Sequence, residues 1–452
     1  MNKSRRTCLS LGLLFLSLSF TLVSHAEPIS FFNAYEQARQ YDAQYQAAEA
    51  GNLGNKEEIN KAKAAFLPKI QFSAAKGRGK TDSTTPFATQ SSTRGYDTQN
   101  YNLSLRQPLF NMQALAEYRQ AEASVAKSDA LLAVESVNLI SRLTDAYFNV
   151  LFTEDNLRYT ASRKITATDQ LQQAKRRFQT GAGTITEIDE VQASLDLIQA
   201  QLIELKNNDS LNRGTLENII GVYPDELFKL AADKVVMQIP DPQEADAWIK
   251  KALESNAEIL VARQQVEVAT QQIERSRAGH YPTLDLVASR SYTESENNIT
   301  IGSTYDTTSL SVQLNVPIFS GGFVNASVRQ AIAAQEESKE QMNLKLRQVK
   351  ADVRGFYNGM ANAISSTQAY QQAEKSSQAA LVGTKKGFEF GTRTNVDVLN
   401  AQEKLFESQR NLAKARYQFV TNLIKLKEST GQLNAQDIEQ VSGWFVKTAT
   451  QE

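Results

Sequence analysis

The chain has 452 residues, with 49 Lys plus Arg against 50 Asp plus Glu, nine Pro, two His and one Cys. A single cysteine (Cys8, near the N-terminus) excludes a disulfide framework and a Cys-based zinc site, and the near-zero net charge gives no argument for nucleic-acid binding. A mean hydropathy of −0.41 opposes a multi-pass helical membrane protein, although it leaves room for a β-barrel, whose hydropathy signal is weak.

Residues 1–26 have the pattern of a signal peptide: basic Lys3, Arg5 and Arg6, an apolar run from Leu9 to Val23, and the small-x-small site Ser24-His25-Ala26. Its removal would take away Cys8 and His25 and leave His280 as the only histidine, so no thiol nucleophile and no other His-based triad remains. Cys8 precedes the apolar run and is not placed as the lipidated cysteine of a lipoprotein. The product is therefore expected to be exported without a helical anchor.

Prolines divide the rest of the chain. They stand at positions 28, 68, 86, 108, 224, 240, 242, 282 and 317, so 109–223 and 318–452 contain none. Proline breaks helix interiors, and both spared stretches are rich in Ala, Gln, Leu, Glu, Lys and Arg. In chain order, this predicts a helix over about 31–65, a β-hairpin between Pro68 and Pro108, a long helix from about 111 to 180, and a returning helix over 186–220. The turn between the last two is Gly181-Ala182-Gly183-Thr184. The pattern then recurs: a helix over 243–279, a hairpin between Pro282 and Pro317, a long helix over 322–388, the turn Gly391-Thr392-Arg393-Thr394, and a helix over 395–430.

Leu405, Leu412, Phe419 and Leu426 recur at sevens, as coiled-coil seams do. A shift of 210 residues carries Tyr147 onto Tyr357, Gly181 onto Gly391, Leu195 onto Leu405 and Gly221 onto Gly431, the mark of an internal duplication. The expected organisation is a signal peptide (1–26), a first repeat (27–221, hairpin 68–110, tip near 181–186) and a mid-height linker (222–242). A second repeat (243–431, hairpin 282–319, tip near 387–394) and a mid-height C-terminal segment (432–452) complete it. The 70 residues of the first long helix give ~105 Å, and the two short helices of that half, 35 residues each, would stack end to end alongside it.

Tyr101, Leu103, Leu105 and Leu109 alternate with polar residues, as do Leu310, Val312, Leu314, Val316 and Ile318. The preceding strands carry Ile70, Phe72 and Ala74, and Leu284, Leu286 and Ala288, and polar loops are expected over 79–97 and 294–307. Four strands of about 9–11 residues are too few for a barrel, so a spanning sheet must be shared between chains.

The motif Gly391-Thr392-Arg393-Thr394-Asn395-Val396-Asp397-Val398-Leu399-Asn400-Ala401-Gln402 resembles the second periplasmic-tip turn of the TolC family of outer-membrane efflux and type I secretion channels. Ala65-Phe66-Leu67-Pro68, Gln107-Pro108-Leu109-Phe110, Val316-Pro317-Ile318-Phe319-Ser320-Gly321-Gly322 and Gly431 support the resemblance, which covers the whole exported chain. It implies a mainly α fold with a β-barrel part: a tunnel of coiled-coil hairpins, plus four strands per chain in a shared 12-stranded transmembrane barrel. It also implies a homotrimer in the outer membrane of a Gram-negative bacterium, in contact with outer-membrane lipid. The helical part would lie in the periplasm and dock to an adaptor (membrane fusion) protein and an inner-membrane transporter.

The resemblance assigns roles at the tip. Asp397 would face the lumen in a ring of like carboxylates that attracts cations, with Asn400 in place of the family's second acid. From the residues alone Asp397 also reads as a first-turn carboxylate on a helix dipole. Arg393 would pair with Thr186 and Glu187 of the neighbouring hairpin as a lock, Glu187 standing where Asp is typical. Phe388 replaces a Tyr and so lacks its hydroxyl, and Gly181, Gly183 and Gly391 make the tip turns.

No Walker A, G-x-S-x-G or H-E-x-x-H motif occurs, and His280 sits at a helix-to-strand joint, so no enzyme, cofactor or metal centre is expected. The expected function is a passive exit duct for drugs or secreted proteins, gated by an iris-like movement of the coiled coils. A soluble periplasmic coiled-coil adaptor and a trimeric adhesin stalk are the alternatives. The cargo is left open by the residues.

Overall fold

The computed structural model describes residues 28–83, 92–295 and 303–447. The expected signal peptide lies outside these described residues, as do 84–91, 296–302 and 448–452. The first half comprises α1 (Phe31–Tyr41), α2 (Ala43–Lys63), β1 (Lys69–Ser83), β2 (Ser92–Asn111), α3 (Met112–Gln179) and α4 (Ile185–Ile220). After β3 (Lys229–Leu230), the second half repeats the order with α5 (Ala245–Ser255), α6 (Ala257–Arg277), β4 (Thr283–Ser295), β5 (Ser303–Asn315), α7 (Phe323–Glu389) and α8 (Asn395–Ser429). The described chain closes with α9 (Ala435–Ser442) and β6 (Phe445–Val446). No helix among the described residues is long and apolar enough to cross a membrane.

The helices start where a side chain can accept an orphan amide. Asn111 caps α3 by accepting from Ala114 N, and Thr184 caps α4 by accepting from Glu187 N. The two expected short helices, 31–65 and 243–279, are each broken in two. Asp42 accepts from Tyr45 N (2.8 Å) and Asn256 from Ile259 N (3.1 Å), so each caps a new helix in mid-run. Short polar side chains compete with the helical ladder in this way, and periodicity does not register it.

These breaks are where the returning helices arrive. Gly221 ends α4 at φ 80° with its α-carbon against Tyr41; a Cβ there would lie 2.5 Å from the ring. Gly431 follows α8 at φ 63°, and its Cβ would lie 2.4 Å from the carbonyl oxygen of Ser255. Only glycine allows both the left-handed turn and the close approach. Thus α4 meets the α1–α2 break and α8 meets the α5–α6 break. The 11, 21 and 36 residues of α1, α2 and α4 together equal the 68 of α3, and the 11, 21 and 35 of α5, α6 and α8 equal the 67 of α7. Each long helix, about 100 Å at 1.5 Å per residue, is matched by a stack of short ones.

The joint is held by an aromatic core around Phe31, Tyr147, Phe148, Tyr417 and Phe445, with Phe148 stacked on Phe445 (5.8 Å) and on Tyr417 (5.8 Å). The Tyr147 hydroxyl donates to the carbonyl of Ile29 (3.0 Å), two residues ahead of α1. Its counterpart Tyr357 donates to the carbonyl of Gln243, two residues ahead of α5 (2.5 Å). The duplicated tyrosines thus tie each long helix to the start of its short stack. β3 and β6 pair antiparallel across this level, joining the segments after α4 and after α8.

Candidate functional site

Two regions carry the features expected of a duct: the sheet at one end of the helices and the pair of hairpin turns at the other. The sheet has the order β1-β2-β4-β5, all antiparallel, so the two hairpins join through β2 and β4 while β1 and β5 form its edges. Register puts Ile70, Phe72, Leu103, Leu105, Leu286, Ala288, Leu310, Val312 and Leu314 on one face. Ile70, Phe72, Leu103, Leu310, Val312 and Leu314 are exposed to solvent in the single chain. The other face is polar, and Ser289 and Ser309 share a hydrogen bond across it (2.8 Å). At its base Asp285, 5 % exposed, accepts from Arg106 (2.5 Å).

The strands outrun the expected 9–11 residues, β1 holding 15 and β2 holding 20. The loops expected over 79–97 and 294–307 are largely strand as far as they are described. Hydrogen-bonded pairing continues past the apolar run, and cross-strand pairs hold the polar extension. On the apolar side Arg78 bonds Asp97 (2.9 Å) beyond Tyr101, and Arg290, level with Leu103, reaches diagonally to Asp306 (2.9 Å) opposite Tyr292, whose ring lies tilted 6.0 Å from that of Tyr101. Pro108 sits inside β2 rather than at a joint, tolerated because the register slips between Pro108 and Phe110.

At the other end, the turns after α3 and α7 have the same form. Gly181 (φ 75°) and Gly391 (φ 74°) take the left-handed conformation that each reversal requires. Gly183 is packed so that a Cβ would lie 3.1 Å from Arg177 Cβ and from a Glu187 carboxylate oxygen. In the second turn Asp397 and Thr394 form a capping box. The Asp397 carboxylate accepts from Thr394 N (2.9 Å) and Oγ1 (3.0 Å), while Thr394 Oγ1 accepts from Asp397 N (3.2 Å). The Thr394 amide and hydroxyl hold the Asp397 carboxyl below its usual range, so it is anionic at neutral pH.

Asn400 is exposed one turn later. Arg393 is exposed beside the turn and makes no ion pair among the described residues of its own chain; Thr186 is exposed, and Glu187 half-buried, at the start of α4. The chain therefore does not bring Arg393 onto Thr186 or Glu187. It does bring Phe388 under the Arg177 guanidinium at 4.8 Å. His280 Nε2 lies 3.2 Å from Asn325 Oδ1, a contact between a helix end and α7.

The outer membrane efflux protein family model matches residues 34–222 and 248–432. The chain belongs to this family. The alkaline protease secretion protein AprF of Pseudomonas aeruginosa is 32% identical over 446 residues, 97% of this chain and 92% of that protein. The outer membrane protein TolC of Escherichia coli is 32% identical over 438 residues, 94% of this chain and 86% of its own. Among solved structures, the outer membrane protein VceC of Vibrio cholerae superposes with a TM-score of 0.74 at 19% identity, covering 89% of this chain and 96% of the other. Like its relatives, the chain is an outer-membrane exit duct with a helical tunnel on the periplasmic side and a β-barrel part.

Two features of this efflux-family chain were not visible as motifs. Arg163 on α3 reaches Glu403 on α8 and lies over the Phe406 ring at 4.7 Å. A cavity of about 290 Å³ opens where α8 meets the α5–α6 break, lined by Ser141, Glu258, Asp352, Phe356, Lys425 and Glu428 among others. Seven-residue spacing on α3 was the available signal for the first. Nothing local marks the second, whose walls come from four helices.

Proposed function

We propose that three copies of the chain close one duct, and that it passes secreted polypeptides from an inner-membrane transporter, through contact with a periplasmic adaptor, to the exterior. The observation that carries the trimer is the pair of open sheet edges, β1 and β5, on a four-stranded sheet with one apolar face. Lipid cannot satisfy an edge, and the smallest outer-membrane barrels have about eight strands. Three chains supply twelve, with β5 of one beside β1 of the next. A polypeptide cargo is favoured by the relative AprF, a protease secretion protein by name. We divide the chain accordingly into the two repeats, 27–221 and 243–431, with 222–242 and 432–452 as mid-height segments. The pairing of β3 with β6 supports that division.

The tip is the gate in this reading. Three copies of Asp397, each anionic, would ring a narrow lumen, with Asn400 as a neutral ring beside it. Arg393 is exposed and forms no ion pair with the described residues of its own chain, which suits a lock onto Thr186 and Glu187 of the neighbouring hairpin in the trimer.

Two measurements test these statements. The detergent-extracted duct should have the native mass of three chains, and a stable single chain would overturn the shared barrel. In planar bilayers Asp397→Ala should weaken block by multivalent cations, and Arg393→Ser should raise conductance. Undiminished block would remove Asp397 from the gate, and unchanged conductance would remove the Arg393 lock.

A further inference from the structure

The two hairpins meet along α3, and the two sides of that helix are built differently. Toward α4, Ala167 and Leu171 pack on Val191, Leu195 and Ile198, an apolar seam that keeps the first hairpin whole. At another heptad position α3 carries only polar residues: Asn156, Arg163, Gln170 and Arg177. Asn156 lines a cavity with Phe406 and Arg410 of α8, so this row faces the second hairpin. Asn156 Oδ1 and Gln170 Oε1 are buried without a hydrogen-bond partner among the described residues.

The two arginines of that row behave alike. Arg163 is steadied from its own hairpin by Gln201 of α4 (3.4 Å), while its guanidinium lies over Phe406 and donates to Glu403. Arg177 is steadied from its own hairpin by the carbonyl of Ala182 (3.2 Å), while its guanidinium lies over Phe388. Each cation is therefore held by the first hairpin and laid on a phenylalanine of the second. They stand 14 residues apart on α3, two heptads, or about 21 Å along the axis.

We propose that Arg163 and Arg177 form a two-point clasp that holds the second hairpin against the first in the closed duct, and that the tip parts along this seam. Separation there parts the Tyr159–Phe406 contact and lifts Leu399 from the apolar cluster, but it returns water to Asn156 and Gln170, whose polar atoms lack partners, whereas opening the α3–α4 seam would expose the whole Val191, Leu195 and Ile198 core. The clasp also supplies at Phe388 a cohesion that needs no hydroxyl. This inference rests on the gated-tip reading and assigns the residues that hold it shut.

The test is conductance in planar bilayers. Arg163→Gln and Arg177→Gln should each raise the open fraction about two- to fivefold per chain, the double variant should raise it further, and Phe388→Leu should match Arg177→Gln. Phe388→Trp, with a stronger π face, should lower the open fraction below wild type, which a merely structural role would not produce. As a second arm, Arg163→Cys with Glu403→Cys, joined by a short bis-thiosulfonate reagent, should stop export until a reductant is added. Low wild-type conductance, unchanged in every Arg and Phe388 variant, overturns the clasp alone. A wild type already at the fully open level overturns the gated tip and the clasp with it.

Discussion

Arginine at Val312 is expected to abolish assembly of the duct in the outer membrane. Val312 lies near the middle of the apolar band on the β4–β5 pair, directly across from Leu286 and exposed on the lipid side. A charged side chain at the bilayer midplane costs about 2–4 kcal/mol in a β-barrel, and three symmetry-related copies repeat that cost. β5 is also an edge, so the penalty falls on the strand that must find its partner in the next chain. Outer-membrane fractions from cells expressing Val312→Arg should lack the multimeric species, with chain accumulating in the periplasm. Ser311→Arg, one residue away on the polar face, should assemble normally. If both variants assemble equally, the two faces have been assigned wrongly.

The second large effect concerns the cavity where α8 meets the α5–α6 break. Burial pushes the Glu428 carboxyl up to about 7, with Asp145 and Glu258 acting in the same direction and Lys425 and Ser141 opposing it. Its Oε2 is buried without a partner. A carboxyl whose folded pKa lies above its unfolded value near 4.5 contributes stability that is fully present below pH 4.5. That contribution is lost as pH rises toward 7. Across that window the loss amounts to about 2–3 kcal/mol per chain. Glu428→Gln should therefore raise the melting temperature of the purified duct at pH 8 and leave it nearly unchanged at pH 4.5. Equal shifts at both pH values would show that the gain came from packing rather than ionisation.

Asp42 works in the opposite sense. The Arg142 guanidinium, which donates to both its oxygens at 2.9 Å, and the Tyr45 amide outweigh burial and keep its carboxyl below the usual range. Its contribution is present above the unfolded pKa and is lost only as pH falls through the folded one. The two helix-stack joints therefore lose stability at opposite ends of the pH scale. Asp42 with Arg142 guards the α1–α2 joint, and neutral Asn256, whose amide donates to the carbonyl of Ser429 (2.8 Å), guards its counterpart.

Much of the fold could be read from a few residue types. Pro68, Pro282 and Pro317 marked hairpin borders, and the long proline-free stretches marked the helices, because a ring without an amide hydrogen cannot sit inside a helix. Glycines at 181, 221, 391 and 431 marked the reversals because the left-handed conformation there costs any other residue dearly. Alternating apolar residues marked a one-sided sheet, and four such strands called for partner chains. At the candidate site, Asp397 read from the residues alone as a first-turn carboxylate on a helix dipole, and the structure shows it there as the capping-box partner of Thr394.

What stayed hidden depends on contacts between residues far apart in the chain. The breaks at Asp42 and Asn256 are local in mechanism, but they persist because Gly221 and Gly431 bring the ends of α4 and α8 against them. The choice of β2 and β4 as the inner strands leaves β1 and β5 as the open edges. No periodicity distinguishes that order from others. Phe406 and Phe388, which lie beneath Arg163 and Arg177, belong to the other half of the chain.

Backbone rules act over a few residues, so composition and spacing marked the long helices, the hairpins and the turns between them, and the recurrence of one order of elements in both halves. Pairing between segments 280 residues apart, as in the bond from Lys425 to Asp145, is decided by complementary surfaces that exist only after folding. Tertiary packing therefore chose which strands stand at the edges of the sheet and which side chains of the second hairpin lie beneath Arg163 and Arg177.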